Sequence, residues 1–413
     1  MPPPRNQTRF ELELVFEAAP IVKRLGGRLP SAAELVALTR TRGTELATAV
    51  LYKSILLSPL HGGFVRAMAR PSTANANGLE AVIVSGSGVP SANKRTKWTD
   101  GARECARRAG YSTDVVETSR SSSVAGNARA IADLVQAKPR DAKLVFVTFG
   151  QGAAELRFFL QKRGPAHPDM GKVRGWANVA GGFGGIAAND PAMAGGIAGW
   201  AARAACALGG RSFAAMAESS SRFGLWQEPF VPPRGALIAS LVPIALPRHL
   251  PPWLRARHRA LASRGPNDGA ILALDAIARP GLVYPAWGLS QASDLSAWAP
   301  HLEKALRVMA TSLTAPVVAP EAAIEDLSVR RNETDPVLRR RRRLADRIEE
   351  QARTSQRAVD AKARRRGEAR FDLRAWEMAQ MLGQDQVRQV ETPLSPPHDT
   401  GADANESDHF QFL

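Results

Sequence analysis

The stretch LVFVTFGQGAAELRFFL, Leu144 to Leu160, decides how the rest of the chain is read. Its opening, Leu144 to Thr148, is a continuous run of strand-forming residues with no alternation, the pattern of a strand covered on both faces. Gly150 and Gly152 then flank Gln151, so the backbone can turn sharply within three residues. From Gln151 to Gln161 the spacing predicts a helix. A buried strand that runs through a tight turn straight into a helix is the unit from which parallel sheets are built.

The same alternation continues on both sides. Leu79–Val84, Ser112–Val116, Val173–Ala180, Ala236–Leu246 and Leu282–Trp287 read as strands. Trp98–Ala109, Val124–Gln136 and Ser296–Thr311 read as the helices between and after them. The expected fold class is α/β: a mostly parallel sheet with helices on both faces and right-handed crossovers. Four segments follow. Residues 1–77 form an N-terminal helical segment and residues 78–315 the α/β domain. Residues 316–388 form a basic charged arm, and residues 389–413 read as a disordered tail. A Gly/Ala-rich insertion at about 181–235, carrying Trp200, Phe213, Phe223, Trp226 and Phe230, reads either as a lid over a pocket or as a structural excursion on the sheet.

Composition narrows the function classes. Apolar residues at 44% suffice for a large core, so the α/β region need not borrow one from a partner. A formal net charge of +16 invites anionic partners: nucleic acid, lipid or acidic protein. Only Cys105 and Cys206 are present, too few for a zinc ribbon or a disulfide framework, and both are expected to be small buried residues. No cofactor motif and no metal-ligand spacing is read. The N-terminus lacks a long apolar core, which sets a cytoplasmic expectation. The most membrane-like stretch, Ala192–Gly210, is interrupted by Arg203 and rich in Gly and Ala, so no span is expected.

The turn at 148–152 resembles the nucleophile elbow of the α/β-hydrolase superfamily, in the lipase and esterase branch. There G-x-S-x-G puts a serine on a strained strand-to-helix turn above the sheet. Here the five residues are Thr148-Phe149-Gly150-Gln151-Gly152. The second small residue is kept, the first is Thr148, and the nucleophile position is Gly150. An elbow nucleophile sits at positive φ, so glycine there removes the strain together with the chemistry. No serine lies between Val124 and Arg211 to replace it.

The resemblance implies two further sites. GPNDGAILALDAI, Gly265–Ile277, is similar to the segment that supplies the acidic triad member, making Asp268 the acid and Asp275 a nearby structural carboxylate. The histidine should follow the last strand, but Ser293 and Asp294 stand there, and the nearest imidazole is His301 at the start of the closing helix. Oxyanion-hole donors are implied at the backbone N–H of Gln151 and near Gly88. The resemblance therefore implies a degenerate hydrolase: a binding or scaffolding module for a small carboxylate or ester. The alternative is an active carboxylic-ester hydrolase using Asp268 and His301.

Two other readings come from the residues themselves. Gly86-Ser87-Gly88, with Glu117 ending the next strand, hints at dinucleotide binding. The third glycine position is Ser91, however, and a polar run precedes the helix, so a pyrophosphate would be badly served. Arg339, Arg340, Arg341, Arg342 and Arg343 form an unbroken cationic run that could hold an anionic or nucleic-acid partner. The interspersed acids Glu349, Glu350 and Asp360 instead suit a solvated helix.

Overall fold

The computed structural model describes residues 8–70, 76–84, 86, 92–164, 167–194, 196–208 and 212–314. The basic arm, the tail and the arginines from Arg339 to Arg343 lie outside them, as does Gly88. Four helices lead: α1 (Arg9–Arg24), α2 (Ala32–Arg42), α3 (Thr44–Leu57) and α4 (Pro59–Ala69). Strand β1 (Glu80–Val84), helix α5 (Ala92–Arg108), β2 (Ser112–Val116), α6 (Val124–Ala137), β3 (Leu144–Phe149), α7 (Gly152–Arg163) and β4 (Val173–Val179) follow. The insertion carries α8 (Gly196–Leu208) and the short α9 (Phe213–Glu218). Then come β5 (Leu237–Ile244), α10 (Pro252–Leu261), β6 (Leu282–Trp287) and α11 (Leu295–Thr314).

The six strands form one sheet in the order β2-β1-β3-β4-β5-β6, every pair parallel. The expected strands and the parallel α/β class are thus observed. Successive side chains of β3 feed opposite layers, as the two-residue period of a strand requires. Val145, Val147 and Phe149 join the core against α5 and α11, with Trp298, Leu302 and Met309. Leu144 and Phe146 join the core against α6 and α7, with Ile131, Leu156 and Phe159. Both layers are apolar, which explains why the run does not alternate.

The N-terminal helices close the β6 side of the sheet. Leu51, Ile55 and Tyr52 of α3 pack with Val242, Ile244 and Val283. Buried Glu11 of α1 accepts from Nε2 of His249 at 2.7 Å and from Nε of Arg248 at 3.1 Å, fixing α1 to the chain beyond β5.

Strand order reverses between β1 and β3, and at such a switch point the C-terminal strand ends leave a crevice. The backbones approach unusually closely there. A Cβ on Gly152 would lie 2.5 Å from the carbonyl oxygen of Val84, and one on Gly86 would overlap the N–H of Gly152. Neither neighbour is a flexible side chain, so neither can move aside. Gly152→Ala is expected to lower the unfolding free energy by about 2 to 3 kcal/mol, the usual cost of overpacking. Urea titration of the purified variant checks this, and an unchanged midpoint would show that the crossing can relax.

Candidate functional site

Strand β3 ends at Phe149, Gly150 adopts φ +50°, and α7 begins at Gly152. Residue 150 therefore sits at the apex of a strand-to-helix bend in left-handed backbone, where a side chain would cost about 1 to 2 kcal/mol. Thr148, one turn position earlier, is buried. Its hydroxyl accepts from Nε1 of Trp176 at 2.8 Å and lies 3.3 Å from Oδ1 of Asn178, so it is spent inside the sheet.

Above Gly150 opens a cavity of about 240 Å³. Phe149, Val179, Ile186, Leu254, Trp98 and Trp253 give it apolar walls. Its polar groups are few: Gln151, Asn189, Arg257, Gln291 and Asp294. Among the described residues lining it, none is Ser, Thr, Cys or His. Arg257 and Asp294 are exposed at the mouth, with the Arg257 guanidinium 5.9 Å from the Trp253 ring centroid. The first turn of α7 presents backbone N–H groups that have no partner within the helix. Gln151, which begins that turn, lines the cavity.

Asp268 is 1% exposed, and its carboxylate is held by the chain itself. Oδ1 accepts from the N–H groups of Ala270 and Ile271, both at 2.9 Å, and Oδ2 accepts from the N–H of Gln291 at 2.6 Å. Burial pushes the carboxyl above the ordinary aspartate range, while the backbone donors of Ile271, Gln291 and Ala270 oppose that rise. Gln291 in turn points at the elbow: its Nε2 lies 3.0 Å from where a Cβ on Gly150 would be, and 3.4 Å from the carbonyl of Ala180, to which it donates. Asp268, Gln291 and Gly150 are thus consecutive in space, the carboxylate holding the Gln291 backbone and the Gln291 amide reaching the bend. An amide takes no proton at neutral pH, and glycine offers no oxygen.

His301 is not brought to this line. It sits on α11 with its ring 5.2 Å from that of Tyr284 on β6, and it does not line the cavity. Burial pulls its pKa down to about 4, with Lys304 contributing. The expectation of a base at His301 rested on nearness in sequence, and its ring turns to Tyr284 instead. Ser293, the other residue read at the histidine position, is bonded to its own loop, its Oγ accepting from the N–H of Ser290 at 2.9 Å. Gln291 was missed because the loop after β6 has no periodicity to fix its register; the signal was a hydrogen-bonding side chain four residues past the strand.

The insertion divides into two parts. Arg157 of α7 is 3% exposed and donates to the carbonyls of Phe183 at 2.7 Å and Glu228 at 2.8 Å, clamping both ends of the excursion. Its guanidinium lies 4.5 Å from the Phe183 ring centroid, and burial lowers its pKa to about 10, still cationic at neutral pH. Asp190 accepts from the hydroxyls of Ser220 at 2.8 Å and Ser221 at 2.9 Å and pairs with Arg264. Asp275 faces this cluster. Among the described residues no group of three or more His, Cys, Asp or Glu is placed to hold a metal ion.

No known family profile and no curated protein matches the chain. Solved structures do. A metagenomic carboxyl esterase, MGS0156, is 22% identical over 60% of this chain and 77% of its own, with a TM-score of 0.42. The mature Bacillus licheniformis lipase BlEst2 is 15% identical over 61% and 95%, TM-score 0.41. Est1E from Butyrivibrio proteoclasticus is 10% identical over 58% and 90%, TM-score 0.32. The six-stranded parallel sheet, covered by helices and bent at Gly150, is an α/β fold.

Asp275 supplies a pH signature. Burial pushes its carboxyl up to about 7; Arg264 opposes this and Asp190 adds to it. An unfolded aspartate titrates near 4, so the folded state holds the extra proton between about pH 4 and pH 7. The stability linked to that proton is whole below about pH 4 and is lost as pH rises through 7. Asp275→Asn is expected to be more stable than the wild type at about pH 8, by roughly 2 kcal/mol. The gap should close near pH 4. Thermal melts across that range measure it; parallel curves would contradict it.

Proposed function

We propose that this chain is a hydrolase-fold protein that binds a small carboxylate or ester in the cavity above Gly150 without cleaving it. One observation carries the reading: Asp268 holds the backbone of Gln291, the Gln291 amide reaches the bend at Gly150, and this line holds neither a base nor a nucleophile. A hydroxyl nucleophile needs an adjacent base to attack at neutral pH, and this line contains neither group. What it does contain suits binding. The walls are apolar, the N–H of Gln151 faces an incoming oxygen, and the Gln291 amide is a neutral donor beside it.

The rival reading is an ester hydrolase built on Asp268 with His301. It would require His301 to leave its packing against Tyr284 and a nucleophile that the described cavity lining does not contain.

Short p-nitrophenyl esters separate the two. The wild type and Gly150→Ser are expected to show no turnover above buffer. The double variant Gly150→Ser/Gln291→His is expected to release p-nitrophenol at least about tenfold above background, since it places a hydroxyl nucleophile beside a base at the bend. Wild-type turnover that Asp268→Ala abolishes would end the non-catalytic reading.

A further inference from the structure

Helix α8 breaks the rule that a surface helix turns its polar side to water. Its sequence, GIAGWAARAACAL, holds a single charge, Arg203. Ala202 and Cys206 face inward and are buried. Gly199 is buried on the same side, and there the helix packs on the 3-10 turn Ala187–Met193 and on α9. The opposite side is apolar and bare: Ile197 is 87% exposed, Trp200 72% and Leu208 91%, with exposed Ala201 and Ala205 between them. Met193, at the end of the 3-10 turn Ala187–Met193, is also exposed. Helix α10 packs on the same turn and shows Trp253, 58% exposed, among exposed Arg255, Arg257 and Arg259.

We propose that the outer face of α8, with Trp253 beside it, docks on an anionic lipid bilayer, the helix lying in the plane of the interface. Thirteen residues of helix reach only about 20 Å, against a hydrocarbon core of about 30 Å, so α8 lies on the bilayer rather than crossing it. Exposed tryptophans beside arginines are the residue types that settle at the headgroup level. Charge selects the occupant. A chain of formal charge +16 repels a second copy presenting the same face and is drawn to an anionic surface. The outer face of α8 does not line the cavity, so its docking does not rest on what the cavity holds; Trp253 belongs to both.

The test sediments the full chain with vesicles of phosphatidylcholine containing roughly 30% phosphatidylglycerol. Binding is expected, weaker on phosphatidylcholine alone and weaker at about 0.5 M salt. The triple variant Ile197→Asn/Trp200→Gln/Leu208→Gln should partition at least about tenfold less while keeping the wild-type melting curve, because all three side chains are solvent-exposed. Trp253→Gln, on a different helix, is the second variant and should weaken binding in its own right. Three outcomes overturn the proposal. The wild type fails to sediment; or the variants sediment like the wild type, which would place binding on a cationic run such as Arg339–Arg343; or light scattering finds a wild-type dimer that the triple variant makes monomeric.

Discussion

The carbonyl oxygen of Val84 occupies the space where a side chain on residue 152 would begin, and the rest of the site follows from that approach. With β1 and the start of α7 pressed together, β3 has no room for a gradual exit. The backbone must reverse within Gly150, Gln151 and Gly152, and it does so through the left-handed conformation of Gly150. This bend brings Gly150 and Gln151, at the start of α7, to the wall of the cavity. The geometry needs small residues at 86 and 152 for packing alone. The demands of the fold are therefore enough by themselves to keep this bend.

Asp268 belongs to the same logic. A buried carboxylate is costly unless its lone pairs are satisfied, and here three backbone N–H groups satisfy them. It ties the turn after α10 to the loop after β6, so its presence is explained by structure without any imidazole to orient. Asp268 is a staple between two loops. Gln291 inherits its position from that staple: its backbone is held by Asp268, and its side chain reaches the bend.

The sheet was legible because its signals are dense. Each strand is a short apolar run, and the runs alternate with helices of the right length. The bend at Gly150 was legible because glycine is informative where a turn leaves no room for a side chain, and Asp268 because N-D-G marks a turn in a definite order along the fold. Gln291 was not legible, since a loop has no period and one residue of slip exchanges an amide for a hydroxyl. His301 misled for the complementary reason: nearness along the chain says little about which face of a helix an imidazole occupies. Nothing in the sequence singles out Arg157, and only the packed structure shows it among aromatic rings. The orientation of α8 was also hidden, because a helix apolar on both sides carries no amphipathic signal for the side that faces out.

Arg157 grips Phe183 near the start of the excursion and Glu228 near its end, so the two points where the chain leaves and rejoins the sheet are tied to each other through α7. Whatever lies between them hangs from a closed neck. Lengthening such a loop is cheap, about 0.6 kcal/mol for each doubling, and the strain of a new sequence there is not passed to β4 or β5. The fold thus contains a place where α8, which packs on the 3-10 turn before it and on α9, can be exchanged like a fitting on one socket, while Ile186 and Asn189 keep the cavity wall, Asp190 keeps its pair with Arg264 and the sheet beneath stays as it is.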